Sequence, residues 1–365
     1  MNHRYITKIE QVPGLSRKDR DAIKRVTSHF RFRSNDYYLS LIDFTDPDDP
    51  IARIIIPNKR ELEGWGKLDA SDEKQFTKAP GLQHKYLTTA VLLVTDICGG
   101  FCRFCFRKRI FIDGNEEAVR DISPGIDYIK KHPKITNVLL TGGDPLMLST
   151  ERLENIIQQL RNIDHVKIVR FGTKLPAFFP HRIVRDPSLL QMLKKYSTEE
   201  KRIYAMVHFN HPRELTDTAL NAVNLLHDAG VVTANQTPLI RGVNDDPETL
   251  SELFRRLSFA GIAPYYVFQC RPTAGNHVYT IPVERTFEIF KEAKRFVSGL
   301  AKRAKLVMSH ATGKIEIIGK KDDHVFFKYH QAVDQKDASR ILIFKSNPDA
   351  YWLDDYTEQA VSLYA

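Results

Sequence analysis

The chain has 365 residues, 42% hydrophobic and 27% charged, with a formal net charge of +9. It is long enough to bury a large core, and it holds no apolar run of the length that crosses a bilayer. The basic residues are scattered among acidic ones instead of forming a block, so the charge points to solubility and anionic ligands and away from nucleic acid or membrane partners.

Up to about residue 85 the sequence is polar and mixed, with a helix expected over 16–29. A Pro/Asp-rich stretch, DFTDPDDPIARIIIP, reads as a loop leading into a segment wrapped over a main domain. Short β-branched runs then recur at 91–95, 137–141, 166–171, 202–209, 231–236, 264–269 and 305–310. Helical patterns lie between them, such as ERLENIIQQLRNI and DPETLSELFRRLSFAG, with Gly230 and Gly261 placed as C-caps. This alternation predicts parallel strands joined by helical crossovers, an α/β fold forming a full or partial (β/α) barrel. The expected divisions are an N-terminal extension over 1–85, a barrel over 86–314 and a small β extension over 315–365. In the last, 315–318 and 325–329 form a hairpin around a turn at 320–323. No low-complexity segment or internal repeat is visible.

The most informative stretch follows the first strand: VTDICGGFCRFCFRKR, carrying Cys98, Cys102 and Cys105. The spacing brings three thiolates into one short loop, enough for three corners of a four-iron cluster with the fourth iron open. Clusters that only carry electrons, and structural zinc sites, fill all four positions with protein ligands. Here the loop has no histidine, and the fourth cysteine, Cys270, lies far along the chain. With four cysteines and no signal-peptide pattern, a reducing, cytoplasmic setting is expected over a disulfide framework. Gly99 and Gly100 are expected to permit tight or positive-φ backbone in this loop.

Active sites of such barrels gather at the C-terminal strand ends. The polar residues of this chain fall there: the cysteine loop, then Thr141-Gly142-Gly143-Asp144-Pro145, Gly172-Thr173-Lys174, His208-Phe209-Asn210-His211, Asn235-Gln236, Gln269-Cys270-Arg271 and His310-Ala311-Thr312-Gly313-Lys314.

From His84 to Lys314 these motifs resemble the lysine 2,3-aminomutase family of radical S-adenosylmethionine (SAM) enzymes. The resemblance rests most on Leu93-Val94-Thr95-Asp96 with the cysteine loop, Leu139 to Leu146, Ile168-Val169-Arg170, His208 to Pro212, Asn235-Gln236 and Leu239 to Asp245. It implies a [4Fe-4S] cluster on Cys98, Cys102 and Cys105, and SAM on the open iron beside Gly142, Gly143 and Asp144. His208 and Gln236 would line the SAM and pyridoxal phosphate (PLP) region. Lys314 would be the PLP lysine, and Lys85 would stand where the family directs an arginine at the PLP phosphate. Arg107 corresponds to the arginine that holds the substrate's carboxylate.

The likeness breaks at the substrate. Where lysine-specific members place an aspartate after the Gln-Cys of the sixth strand, this chain has Arg271. The region before Lys314 reads Met308-Ser309-His310, without a carboxylate. A guanidinium there opposes an ammonium and suits an acidic side chain, provided that Arg271 points inward. The C-terminal cysteines that bind zinc in some members are absent, so no zinc is expected. The expected function is a PLP-dependent amino acid 2,3-aminomutase, supplied with electrons by a flavodoxin- or ferredoxin-type protein and assembled as a homo-oligomer. Three alternatives stay open at this point: a radical SAM enzyme without PLP, one acting on a macromolecule-linked lysine, and a non-catalytic iron–sulfur protein.

Overall fold

The alternation of β-branched runs and amphipathic helices becomes one continuous sheet in the computed structural model, which describes residues 4–112 and 114–357. A two-residue ribbon, β1 (Tyr5–Ile6) with β2 (Ser34–Asn35), stands apart from it. The main sheet has twelve strands in strict sequence order. It opens with β3 (Thr77–Ala79) and β4 (Leu82–Tyr86), both antiparallel. The parallel strands are β5 (Thr89–Thr95), β6 (Asn137–Gly142), β7 (Ile168–Thr173), β8 (Ile203–Val207), β9 (Val232–Pro238), β10 (Ala263–Phe268) and β11 (Lys305–His310). An antiparallel meander completes it: β12 (Gly313–Lys321), β13 (His324–Ala332) and β14 (Ile341–Lys345).

The sheet therefore starts inside the segment expected to wrap the domain and runs past residue 314 without a break. Residues 1–3, 113 and 358–365 of the expected divisions lie outside the described residues. The 320–323 turn is the hairpin between β12 and β13, with Asp322 at φ 52°. Instead of a loop over 309–313, only Ala311 and Thr312 lie between paired His310 and Gly313, so Lys314 sits in β12 itself, opposite Ser309.

Each crossover helix buries a 3.6-residue stripe against the sheet. Helix Thr150–Arg161, capped by Ser149, buries Leu153, Ile156, Ile157 and Leu160. Helix Pro247–Phe259, capped by Asp246 with proline in its first turn, buries Leu250, Leu253, Phe254 and Leu257. Gly230 and Gly261 end their helices at φ +75° and +72°, as a C-cap requires. Alternate strand residues such as Leu139, Arg170, Gln236 and Lys314 are left on the sheet's other face, and His208 follows the end of β8.

Among the described residues no strand pairs the two ends of the sheet, so the barrel is partial and its ladder open. Side chains bridge the gap instead. The Lys85 ammonium donates to the His310 carbonyl, and the Ser71 hydroxyl donates to the Ser309 carbonyl at 2.7 Å. Lys67 pairs with Thr273. The N-terminal segment thus crosses the barrel mouth as a strap.

That segment also carries the main ion pair of the interior. Arg103 and Glu61, with side chains 2% and 0% exposed, meet at 2.7 Å; Tyr279 donates to the same carboxylate at 2.8 Å. Removing one partner from such a pair strands a buried charge and costs about 3–5 kcal/mol. Glu61→Gln is expected to lower the unfolding free energy at pH 7 by about 3 kcal/mol in urea titration. A loss below about 1 kcal/mol would show the pair to be solvated.

Candidate active site

The cysteine loop has no ladder of its own, so its backbone groups must find partners elsewhere. The N-terminal segment supplies most of them. Phe101 N–H donates to Arg33 O and Arg103 N–H to Ile54 O, each at 2.9 Å. The Asn35 amide donates to Gly99 O at 3.1 Å and to Phe178 O at 2.9 Å, and Asn276 donates to Phe104 O at 3.0 Å. Of the tight or positive-φ backbone expected, Gly99 and Gly100 do not take the positive φ; a Cβ on Gly99 would lie 3.0 Å from Leu175, and one on Gly100 3.1 Å from Ile55 and 3.3 Å from Phe178.

Gly142 and Gly143 are needed for a different reason. Gly142 has φ +109°, and a Cβ on Gly143 would lie 2.3 Å from Ile97 O. Without side chains, the loop after β6 lies directly on the cysteine loop, with Gly143 N–H donating to Thr95 O at 2.6 Å and Asp144 N–H to Ile97 O at 2.8 Å. The Asp144 carboxylate is used inward: it accepts from Thr173 Oγ1 at 2.8 Å, Lys174 N at 2.8 Å and Leu146 N at 3.1 Å. Burial raises its pKa to about 6 against those hydrogen bonds. It ties the second strand end to the third.

Cys98, Cys102 and Cys105 are free thiols, close enough for charge on one to act on the others. Burial raises all three, Cys102 to about 12, which favours the protonated thiols, and a bound metal would take the proton's place. Among the described residues no three His, Cys, Asp or Glu side chains converge on a single metal ion. Three cysteine thiols in one loop are the donor chemistry that holds an iron–sulfur cluster. Cys270 is buried in an apolar group with Phe104, Ile240 and Val278, against which Cys102 also packs.

Across the mouth, Lys314 bonds no acceptor among the described residues; its ammonium lies 4.0 Å from the centre of the Tyr266 ring. Burial, then Arg170, Arg271 and Lys85, bring its pKa down to about 7. An amine that is partly neutral at physiological pH is a ready carbonyl nucleophile. Lys85 is lowered to about 8 by burial and by Arg271. His208 accepts from the Gln236 amide at 2.9 Å, and burial with Lys174 lowers it to about 3, so its imidazole is neutral.

Arg107 and Arg271 both reach the mouth and meet a residue that sequence reasoning missed, Glu73 of the strap. Arg107 Nε and Nη2 donate to Glu73 at 3.1 and 3.2 Å, and Nη1 donates to Thr141 at 3.2 Å. Arg109 reaches the same carboxylate at 2.8 Å. Arg271 points inward, with its side chain 15% exposed and its guanidinium 3.8 Å from the Phe106 ring centre; its one carboxylate contact among the described residues, to Glu73, is long at 3.4 Å. Arg170, also missed as a site residue, donates to Asn137 at 2.8 Å and faces Lys314. An arginine in the middle of a β-branched strand was a signal for it. Glu73 had none, lying in a polar stretch that only the fold brings to the mouth.

The model of the radical SAM superfamily matches residues 92–254, which include the cysteine loop and the strand ends just described. The chain is thus a radical SAM protein, a class that uses a [4Fe-4S] cluster and SAM. It is 53% identical to an Aquifex aeolicus protein provisionally named L-lysine 2,3-aminomutase, covering 97% of this chain and 95% of the relative. It is 37% identical to L-lysine 2,3-aminomutase of Clostridium subterminale, over 80% of this chain and 70% of that one. Glutamate 2,3-aminomutase of Clostridioides difficile is 35% identical over 80% of this chain and 68% of its own. The chain belongs to the lysine 2,3-aminomutase family and is an isomerase acting on an amino acid.

The Lys314 amine also makes stability depend on pH. Unfolded, it keeps its ordinary value of 10.5; folded, it lies at about 7. Between those values the unfolded chain binds more protons, so this group's contribution to stability rises with pH, and its penalty is greatest below about pH 7. Lys314→Met is expected to raise the thermal midpoint of the PLP-free protein by more at pH 6 than at pH 9. Equal shifts at both would mean that the amine is solvated.

Proposed function

We propose that this enzyme is a PLP-dependent 2,3-aminomutase whose substrate is a free amino acid with an acidic side chain. The observation that carries the proposal is the pairing, at one barrel mouth, of a buried amine without a counter-ion, Lys314, and a buried guanidinium with most of its donors unused, Arg271. A buried guanidinium held by a single long ion pair has donors left to receive an anion. In this reading Cys98, Cys102 and Cys105 hold the cluster, and the loop of Gly142, Gly143 and Asp144 forms the wall beside it. Lys314 holds PLP, with Lys85 and Arg170 as nearby cations for its phosphate.

When bound, the cluster and SAM supply a carbon radical able to remove an unactivated hydrogen, and PLP carries the migrating nitrogen. The chain's own residues bind and orient. Arg107 takes the α-carboxylate with the Nη donors that Glu73 and Thr141 leave over, and Arg271 takes the side-chain carboxylate. His208, neutral, spends its Nε2 lone pair on the Gln236 amide and presents its Nδ1–H as a hydrogen-bond donor, without being an acid near neutral pH. The Tyr266 and Phe268 rings beside Lys314 keep water from the amine. An external flavodoxin- or ferredoxin-type protein would provide the electron, in the cytoplasm, to a homo-oligomer. No helix among the described residues is long and apolar enough to cross a membrane.

One observation favours lysine as a second reading. Glu73, Asp69 and Glu117 face Arg107, Arg109 and Arg271, three carboxylates against three guanidinium groups, which reduces the repulsion an ammonium would meet. The two are separated by anaerobic turnover of the reconstituted enzyme with L-glutamate, L-aspartate and L-lysine, following β-amino acids and 5′-deoxyadenosine by mass spectrometry. A β-amino acid from an acidic substrate with little net loss of SAM is the expected result; β-lysine alone would establish the second reading. Stoichiometric 5′-deoxyadenosine without any β-amino acid would sink the aminomutase assignment for these substrates. Arg271→Asp is expected to shift the ratio of kcat/KM for lysine over the acidic substrate by at least about tenfold, about 1.4 kcal/mol. An unchanged ratio would remove Arg271 from substrate recognition.

A further inference from the structure

Glu73 is held in place from several directions. The strap that carries it is tied to the loop after β10 by the Lys67–Thr273 bridge, with Lys67 N–H donating to Pro272 O at 3.0 Å. Ser71 ties it to β11 at 2.7 Å. Asp69 accepts from Glu73 N at 2.9 Å and Lys74 N at 3.1 Å, and lies 3.5 Å from Arg109. Asp72 stands in the left-handed region at φ 48°, which turns the chain so that Glu73 enters the mouth. The carboxylate is 13% exposed, a built contact and not a surface ion pair.

Its two oxygens are divided in a specific way. Oε1 takes Arg107 Nη2 at 3.2 Å and Arg271 Nη1 at 3.4 Å; Oε2 takes Arg107 Nε at 3.1 Å and Arg109 Nη2 at 2.8 Å. Arg107 is therefore gripped on its Nε–Nη2 edge, with donors left on the Nη edge. One oxygen is shared by Arg107 and Arg271, so two guanidinium groups that would repel each other in a dry site are held at a set separation. Burial alone would raise the Glu73 pKa, but Arg107, Arg271 and Arg109 hold it well below the ordinary carboxylate range, so it stays ionised wherever the enzyme is folded.

We propose that Glu73 is a positioning residue: by bridging Arg107 and Arg271 it sets the distance between the two guanidinium groups that receive the substrate's two carboxylates, and so determines selectivity for a dicarboxylic amino acid. This inference rests on the roles given above to Arg107 and Arg271. Among the described residues, the other side-chain contact of the Arg271 guanidinium is the face of Phe106. Charge is the active property, because a neutral amide of the same shape would leave the arginines free to separate.

The test compares wild type, Glu73→Gln and Glu73→Asp, each reconstituted with cluster and PLP, using L-glutamate, L-aspartate and L-lysine. Two readouts are taken: anaerobic kcat and KM, and the change in PLP absorbance when amino acid is added without reductant. For E73Q the expected result is a KM for the acidic substrate raised at least about tenfold with kcat within about threefold, a matching shift in the absorbance titration, and partial recovery in E73D. Cluster absorbance and thermal midpoint report whether the fold survives, and E73D carries the test if E73Q does not fold. An unchanged KM in a folded variant overturns the inference and leaves Glu73 as strap anchorage. A lowered KM also overturns it, because Glu73 would then compete with the substrate for its arginines. If wild type shows no absorbance change with any of the three amino acids, the functional reading falls and the inference with it; if wild type responds and E73Q responds equally, the inference alone falls.

Discussion

The structure depends on how a loop with no secondary structure satisfies its backbone inside a protein. The cysteine loop must be irregular to bring three thiols together, yet buried carbonyl and amide groups cannot be left without partners. The chain meets this by laying its N-terminal segment along the loop. Arg33, Asn35 and Ile54 bond the loop backbone, and Glu61 pairs with Arg103 from within it. The glycines after β6 let a second loop lie on the opposite side. The three cysteines are thus clamped between two pieces of backbone far apart in sequence, the preorganisation that a set of metal ligands would need.

The same segment governs the electrostatics of the mouth. Arg107, Arg170, Arg271, Lys85 and Lys314 converge there, and a site so positive and so dry resists folding unless some charge is removed. Two devices do this. Lys314 gives up its proton readily, a consequence of burial and of its cationic neighbours, and this also makes it nucleophilic. Glu73 inserts the one carboxylate that touches both Arg107 and Arg271. Activation of the amine and restraint of the arginines are thus two results of one excess of positive charge.

Much of this was visible in the order of the residues. Parallel strands followed from β-branched runs alternating with amphipathic helices, because each pattern has its own period and each crossover must return to the same edge. The strand-end rule placed Cys98, Thr141, His208, Gln236 and Lys314 near one another without any distances. It did not show that Asp144 turns inward to Thr173, that Gly99 and Gly100 are small for packing and not for φ, or that Lys314 belongs to a strand that extends the sheet.

What the sequence alone determined was local chemistry: the spacing of the three cysteines, the strand rhythm, and an arginine, Arg271, at a strand end. Those are properties of neighbours along the chain. The tertiary structure decided the state and partners of each group, which depend on desolvation and on charges brought from elsewhere. Glu73 lies 34 residues before Arg107 and 198 before Arg271, in a stretch with nothing to mark it. Only the path of the strap across an open barrel makes it the residue between them, since ion pairing falls off over a few ångströms of space and takes no account of distance along the chain.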